Sequence, residues 1–197
     1  NDFTNSIVKY WDSNETLQQY GYAGGSIISD FDYRKLGETW SKKRIIKIKV
    51  NGIEKWVAVF GAGFNGATNP NYGSAVFVVD IENGGKLLKK IDIADLSSSN
   101  IVNSLPADLR VITANGTDKA DYIGAMVYAP DIEGKITKIN LTDVGTLYDQ
   151  TTFFNVQANS SNGRYLYQSP EATFNSDGNL WLYFGTGNTQ KLQEQSN

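Results

Sequence analysis

The pair Asn51-Gly52 lies between two strand-like runs and restricts the fold more than any other feature of the sequence. Before it, Ile46, Ile48 and Val50 alternate with lysines, and after it residues 53–60 continue as a largely apolar run. A two-residue type I′ turn needs positive φ at both central positions, which Asn and Gly tolerate better than other residues. The sequence therefore predicts an antiparallel β-hairpin at residues 44–60.

Two further strand signals follow this hairpin. Residues 74–80 read SAVFVVD, and an Asn-Gly-Gly turn at 83–85 leads into residues 86–93, where Ile91 and Ile93 alternate with polar residues. A strand that is apolar on both faces, such as 56–60, indicates the interior of a sheet, whereas a strand that is polar on one face suits an exposed edge. Residues 44–93 are predicted to form one four-stranded antiparallel unit.

The same pattern restarts twice after a Ser/Asn-rich link at residues 95–108. The second unit has an apolar strand at 122–129, a tight turn at 131–135, a strand at 136–141 and an outer strand within 146–156. The third has a strand at 170–174, a turn at 175–178 and a strand at 180–184, and a polar tail then follows. We expect this last unit to be incomplete, and we interpret residues 1–35 as an irregular N-terminal segment or the remnant of a preceding unit.

Repeated four-stranded units are typical of β-propeller blades. The sequence thus predicts an all-β fold, specifically a partial β-propeller of about three to four blades of four-stranded antiparallel sheets across residues 36–197. A β-sandwich, which also uses many short strands, is the alternative.

The composition of the chain excludes several kinds of chemistry. The 197 residues include no His and no Cys, so the usual ligands of zinc, haem, iron–sulfur and copper sites and the nucleophile–His pairs of hydrolases are missing. A net charge of −3 gives no reason to expect nucleic acid as a partner, and the apolar runs are too short for a transmembrane segment. Carboxylate pairs such as Asp30/Asp32 and Asp80/Glu82 occur at strand ends and turns, so we predict no enzymatic activity.

One candidate metal site lies in the segment TANGTDKAD at residues 113–121. Oxygen atoms recur there at every second position, which suits a hard cation such as calcium. In this register the ligands are Thr113, Asn115, Thr117, the backbone carbonyl of Lys119, and Asp121. Only Asp121 brings a charge, and a polar turn without a metal is the alternative interpretation.

Two other motifs have structural explanations. The segments Gly61-Ala-Gly63 and Gly185-Thr-Gly187 are followed by no helical pattern, so we interpret them as sites where strand ends pack closely and not as phosphate loops. The tryptophans are predicted to be packing residues, with Trp56 and Trp181 at equivalent positions of their strands.

Several segments together resemble the propeller domain of the PilY/PilC family of type IV pilus biogenesis factors and tip-associated adhesins. They are LGETWS at 36–41, KWVAVFGAGFN at 55–65, VVDI at 78–81, YAPD at 128–131 and GNLWLYFGTG at 178–187, in the order found in that family. The resemblance covers roughly residues 30–190. It implies a non-catalytic protein, secreted or on the bacterial surface, with pilus subunits or minor pilins and host or abiotic surfaces as partners.

The resemblance also bears on calcium. The family's calcium loop corresponds to residues 113–121, where this chain lacks acids at the first, third and fifth positions, and Pro130 stands where the family usually has Gly. Two alternative functions stay open. One is a quinoprotein-type propeller dehydrogenase, whose Asp-x-x-x-Gly-Lys turns resemble residues 80–86 and 131–135; the other is a structural assembly-scaffold propeller.

Overall fold

The fold is known from a computed structural model, which describes residues 22–23, 26–27, 29–64, 72–94, 103–113, 123–158 and 161–188. Within these ranges the protein is all-β, with antiparallel sheets and one short 3-10 turn, Ser29–Phe31, as its helical element. No helix in this part of the chain is long and apolar enough to cross a membrane.

The first sheet, sheet A, has four strands that pair in chain order. They are β3 (Arg44–Val50), β4 (Ile53–Gly61), β5 (Ala75–Asp80) and β6 (Lys86–Asp92). A short hairpin of β1 (Tyr22–Ala23) and β2 (Ser26–Ile27) precedes it. Sheet A confirms the predicted four-stranded unit at residues 44–93, including the edge position of its lysine-rich last strand.

The turn between β3 and β4 has the predicted geometry. Asn51 has a φ of 51° and Gly52 a φ of 81°, and Val50 lies directly opposite Ile53. Positive φ at both central positions is what a type I′ hairpin turn requires.

We therefore expect Gly52→Ala to lower the free energy of unfolding by about 1 kcal/mol, because a Cβ is strained at this φ while no atom lies within 4 Å of its position. Gly52→Asn is the matched variant, since Asn tolerates left-handed backbone, and it should lose less stability. Urea unfolding of both variants measures the difference; equal losses would contradict a purely conformational origin.

The second sheet, sheet B, also has four strands in chain order. They are β7 (Arg110–Thr113), β8 (Ala125–Pro130), β9 (Lys135–Asn140) and β10 (Gln150–Asn155). No strand is predicted at 110–113, because β7 is only four half-buried residues long, too short for alternation to show. The apolar strand predicted at 122–129 corresponds to β8, and residue 122 lies outside the described residues. Just before β8, the Gly124 amide donates to the Lys47 carbonyl of sheet A, 2.7 Å away.

The third unit is a two-stranded hairpin, hairpin C, within the described residues. It consists of β11 (Glu171–Phe174) and β12 (Leu180–Tyr183), joined by the predicted turn. The Asn175 side-chain oxygen accepts from the amides of Asp177 and Asn179, which fixes that turn.

Successive sheets pack face to face, and the middle strands of both four-stranded sheets are buried on both faces. On β4, Val57 and Val59 point towards sheet B and join a shared apolar core, whereas Ala58 and Phe60 point the other way and pack against Tyr33 and the residues around it. The other face of sheet B packs against hairpin C. This two-sided burial explains why the middle strands are apolar at successive positions.

The tryptophan prediction is wrong for the three tryptophans that the structure describes. Trp40, Trp56 and Trp181 are 66%, 43% and 52% exposed. Trp56 and Trp181 are on the second strands of their units, but the sheet interiors are filled by smaller side chains, and the Lys47 ammonium lies 5.5 Å from the Trp56 ring. Trp11 lies outside the described residues.

The two Gly-x-Gly segments differ in their surroundings. Gly63 has a φ of 92° and lies between two chain segments, and a Cβ there would come within 2.2 Å of the Glu38 carbonyl oxygen. A Cβ on Gly61 would lie 2.9 Å from the Leu105 Cβ. Close packing is thus confirmed for residues 61–63, whereas nothing lies within 4 Å of a Cβ on Gly185 or Gly187.

Candidate binding site

The predicted calcium loop is described only at its first residue. Thr113 ends β7 and pairs with Ala125, half-buried. Asn115, Thr117, Lys119 and Asp121 lie outside the described residues. Among the residues that are described, no three acidic side chains come together in a way that could hold a metal ion.

The carboxylates singled out in the sequence have structural partners. Asp30 pairs with Lys86 at 3.1 Å, and Asp32 pairs with Arg34 and Lys90. These contacts hold the segment before sheet A against strand β6. The hydrogen bonds from Arg34, opposed by burial and assisted by Lys90, keep the pKa of Asp32 far below its usual range.

Asp80 closes the turn between β5 and β6. Its carboxylate is buried, accepts the backbone amides of Glu82 and Asn83, and forms a 2.6 Å hydrogen bond with the Lys55 ammonium. Burial opposes ionisation here, but the hydrogen bonds from Lys55 and Asn83 outweigh it and lower the pKa of Asp80. The Glu82 carboxylate accepts the Trp56 amide at 3.2 Å.

Asp131 has the corresponding place in sheet B, in the turn between β8 and β9. One carboxyl oxygen accepts the Lys135 amide at 3.0 Å, and the other accepts the Asn103 amide group at 2.9 Å. The nearest cation, the Lys135 ammonium, is 3.8 Å away, beyond hydrogen-bonding distance. Burial therefore dominates and raises the pKa of Asp131 to about 7, although the amide and charge of Lys135 oppose the shift.

Lys135 connects the two sheets. Its side chain is only 9% exposed, and its ammonium donates to the Ile93 carbonyl, 2.7 Å away, just after the last strand of sheet A. Asn103, in the segment between the two sheets, donates from its amide group to Asp131 and to Glu133 and so holds that segment against the β8–β9 turn. The buried charge of Lys135 is thus held at the junction between sheets A and B.

A polar cleft opens beside Lys135 at this junction. It has a volume of about 250 Å³ and is lined by Asp92, Ile93, Ala94, Lys135, Thr137, Gln150, Thr151 and Thr152. At its rim the Gln150 amide donates to the Asp92 carbonyl at 2.9 Å, and the Asp92 carboxylate is paired with Lys35. The cleft adjoins the apolar core that sheets A and B share.

This cleft is not predicted from the sequence. Lys135 is predicted to lie in a tight turn, and Gln150, Thr151 and Thr152 are predicted to lie in an outer strand. A signal was present, because Lys135 and Thr137 occupy the same phase of β9 as buried Ile139, and polar residues on a buried face are exceptions that suggest a function or a partner. The distant residue Asp92 joins them only through the packing of the sheets.

Comparison of the chain with family models, with curated proteins and with solved structures finds no match to any of them.

Proposed function

We propose that this chain is a propeller segment of a non-catalytic pilus biogenesis factor or tip-associated adhesin of the PilY/PilC type, acting as a rigid binding scaffold. The observation that carries the proposal is the serial packing of sheet A on sheet B and of sheet B on hairpin C, so that sheet B has a sheet-like neighbour on each face. A two-sheet sandwich leaves one face of each sheet to solvent, whereas propeller blades bury both. The ordered sequence resemblance supplies the link to pili.

The placement of the acidic groups supports a non-catalytic function. The carboxyl groups of Asp32, Asp80 and Asp131 are each hydrogen-bonded to a side chain from another part of the chain. The partners are Lys90, Lys55 and Asn103, respectively. An acid–base pair needs carboxyl groups that are available to a substrate. In this proposal, binding takes place at loops and clefts along the rims of the sheets, on the outside of a bacterial cell.

Calcium binding at residues 113–121 is expected to be weak, with a dissociation constant of about 1 mM or higher, because Asp121 is the only charged ligand in the register. Calorimetric titration measures it directly. Asp121→Asn should abolish the binding, while Asp118→Asn, outside the register, should leave it unchanged. Submicromolar affinity would contradict the assignment of these five ligands.

The pilus assignment is tested by incubating the purified chain with assembled pili and with isolated minor pilins. We expect saturable binding to at least one of them, and retention on pilus-bearing but not pilus-free cells. Absence of binding to pilins, to host cells and to abiotic surfaces would overturn the proposal. Alcohol oxidation in a dye-linked assay after addition of quinone and calcium would favour the dehydrogenase alternative instead.

A further inference from the structure

The polar cleft between sheets A and B has a shape and a lining that differ from ordinary packing. The cleft opens to solvent beside the closely packed apolar core of the two sheets. It has a volume of about 250 Å³, and its wall is mostly polar, with threonines, a glutamine, Lys135 and, at the rim, Asp92. A cavity of this size and polarity suits a ligand about as large as one sugar ring.

The charge at the base of the cleft is positive. Lys135 has one hydrogen bond to the Ile93 carbonyl, and an ammonium group has three donors. Asp131 lies behind Lys135 at 3.8 Å and binds the proton more tightly than an exposed carboxyl does, so it compensates the ammonium charge only in part near neutral pH. Asp92 at the rim is paired with Lys35, which reduces its repulsion of an anion in the cleft.

The remaining wall offers neutral hydrogen-bonding groups. Thr137 brings a nearly buried hydroxyl beside Lys135, and Thr152, directly opposite Thr137 on β10, adds an exposed hydroxyl on the same face. The Gln150 amide nitrogen is engaged with the Asp92 carbonyl, which leaves its carbonyl oxygen as an acceptor. Hydroxyl groups and an amide oxygen surrounding one ammonium complement a ligand that combines a carboxylate with several hydroxyls.

We propose that the polar cleft binds the sugar-acid units of acidic polysaccharides, with Lys135 contacting the carboxylate and Thr137, Gln150 and Thr152 contacting the ring hydroxyls. Charge-assisted hydrogen bonds to a nearly buried ammonium are the strongest contacts available here, so the carboxylate supplies most of the affinity. The inference concerns the cleft alone and is independent of any pilus partner.

The test uses the 197-residue chain with D-glucuronate as the probe and D-glucose as its neutral counterpart. Titration followed by backbone amide NMR is expected to shift the signals of Thr137, Gln150 and Thr152 with glucuronate, saturably, and to show affinity at least about tenfold lower for glucose. Glucuronate affinity should also fall as salt is added.

Variants assign the effect to the cleft. Lys135→Met should lower glucuronate affinity by about tenfold or more, whereas Lys138→Met, on the opposite face of the same strand, should leave it unchanged. Because Lys135 is buried and its replacement can disturb folding, Thr152→Val, at an exposed position, provides a second test and should weaken binding without changing the unfolding midpoint.

Four results would overturn the proposal. The first is the absence of saturable shifts at the cleft with glucuronate at tens of millimolar. The second and third are equal affinity for glucose and glucuronate and unchanged affinity in Lys135→Met, because either would show that the charge is not recognised. The fourth is equal affinity for acetate and glucuronate, which would make the cleft a simple anion site.

Discussion

Replacing Gly63 with alanine is expected to lower the free energy of unfolding by about 4 kcal/mol or more, which for a domain of ordinary stability removes much of the margin. The new Cβ would lie 2.2 Å from the Glu38 carbonyl oxygen and 2.4 Å from its carbonyl carbon, and neither backbone atom can move independently. Glu38 and Phe64 exchange two hydrogen bonds at this point, and the Leu105 amide donates to the Gly63 carbonyl. The substitution therefore disrupts contacts among three chain segments as well as straining φ.

The matched control is Gly185→Ala in the second Gly-x-Gly segment. No atom lies within 4 Å of a Cβ there, so its stability should change by less than about 0.5 kcal/mol. Urea unfolding followed by tryptophan fluorescence compares the two variants. Equal unfolding midpoints for Gly63→Ala and the unmodified chain would show that the contact at Glu38 does not limit stability.

Raising the pH from about 4 to 8 is expected to lower the free energy of unfolding by about 2–4 kcal/mol through Asp131 alone. The pKa of this carboxyl is about 7 in the folded protein and near 4 when unfolded. Between these two pH values the folded state keeps Asp131 protonated, whereas the unfolded state does not. The contribution of Asp131 to the free energy of unfolding is therefore fully present below the unfolded pKa and is lost as the pH rises through about 7. Asp32, Asp80 and Asp108 have lowered pKa values and act in the opposite direction, on acidification below about pH 4.

Two variants separate these contributions. Asp131→Asn should flatten the stability profile between pH 4 and 8, because the titrating group is gone while an oxygen remains to accept the Lys135 amide. Asp80→Asn, at the corresponding turn of sheet A, should leave the change in unfolding free energy between pH 4 and 8 unaltered. It should reduce the loss of stability below about pH 4, because the carboxyl group with the lowered pKa is gone. Urea unfolding at a series of pH values measures both, and a slope that survives Asp131→Asn would assign the effect to another group.

Local signals predicted the strands of sheet A and hairpin C because their turns have strong chemical requirements. Asn51-Gly52 and Asn175–Gly178 each fix a hairpin within a few residues, and the flanking runs are long enough to show their period. Strand β7 has no such turn next to it and only four residues, so it becomes recognisable only through its pairing with β8.

The exposure of the tryptophans and the position of the polar cleft could not be predicted from the sequence, because both depend on contacts between distant segments. Whether Trp56 faces the interior depends on which neighbouring sheet covers it, and that contact comes from distant parts of the chain. The cleft likewise joins Asp92 to Lys135 and Gln150, which are brought together only when sheets A and B pack. The turn carboxylates Asp80 and Asp131 look alike in sequence, yet a lysine within hydrogen-bonding distance lowers one pKa and its absence lets burial raise the other.

Every strand of sheets A and B pairs only with the strand before or after it in the chain. Each sheet can therefore close its hydrogen bonds as soon as its own residues are available, without waiting for a distant segment. Because each strand pairs with a neighbour in the chain and not with a distant segment, the entropic cost of closure is low and formation is rapid. A chain emerging from a ribosome or an export channel would thus assemble one sheet after another, and its apolar faces would be covered in the order in which they are made.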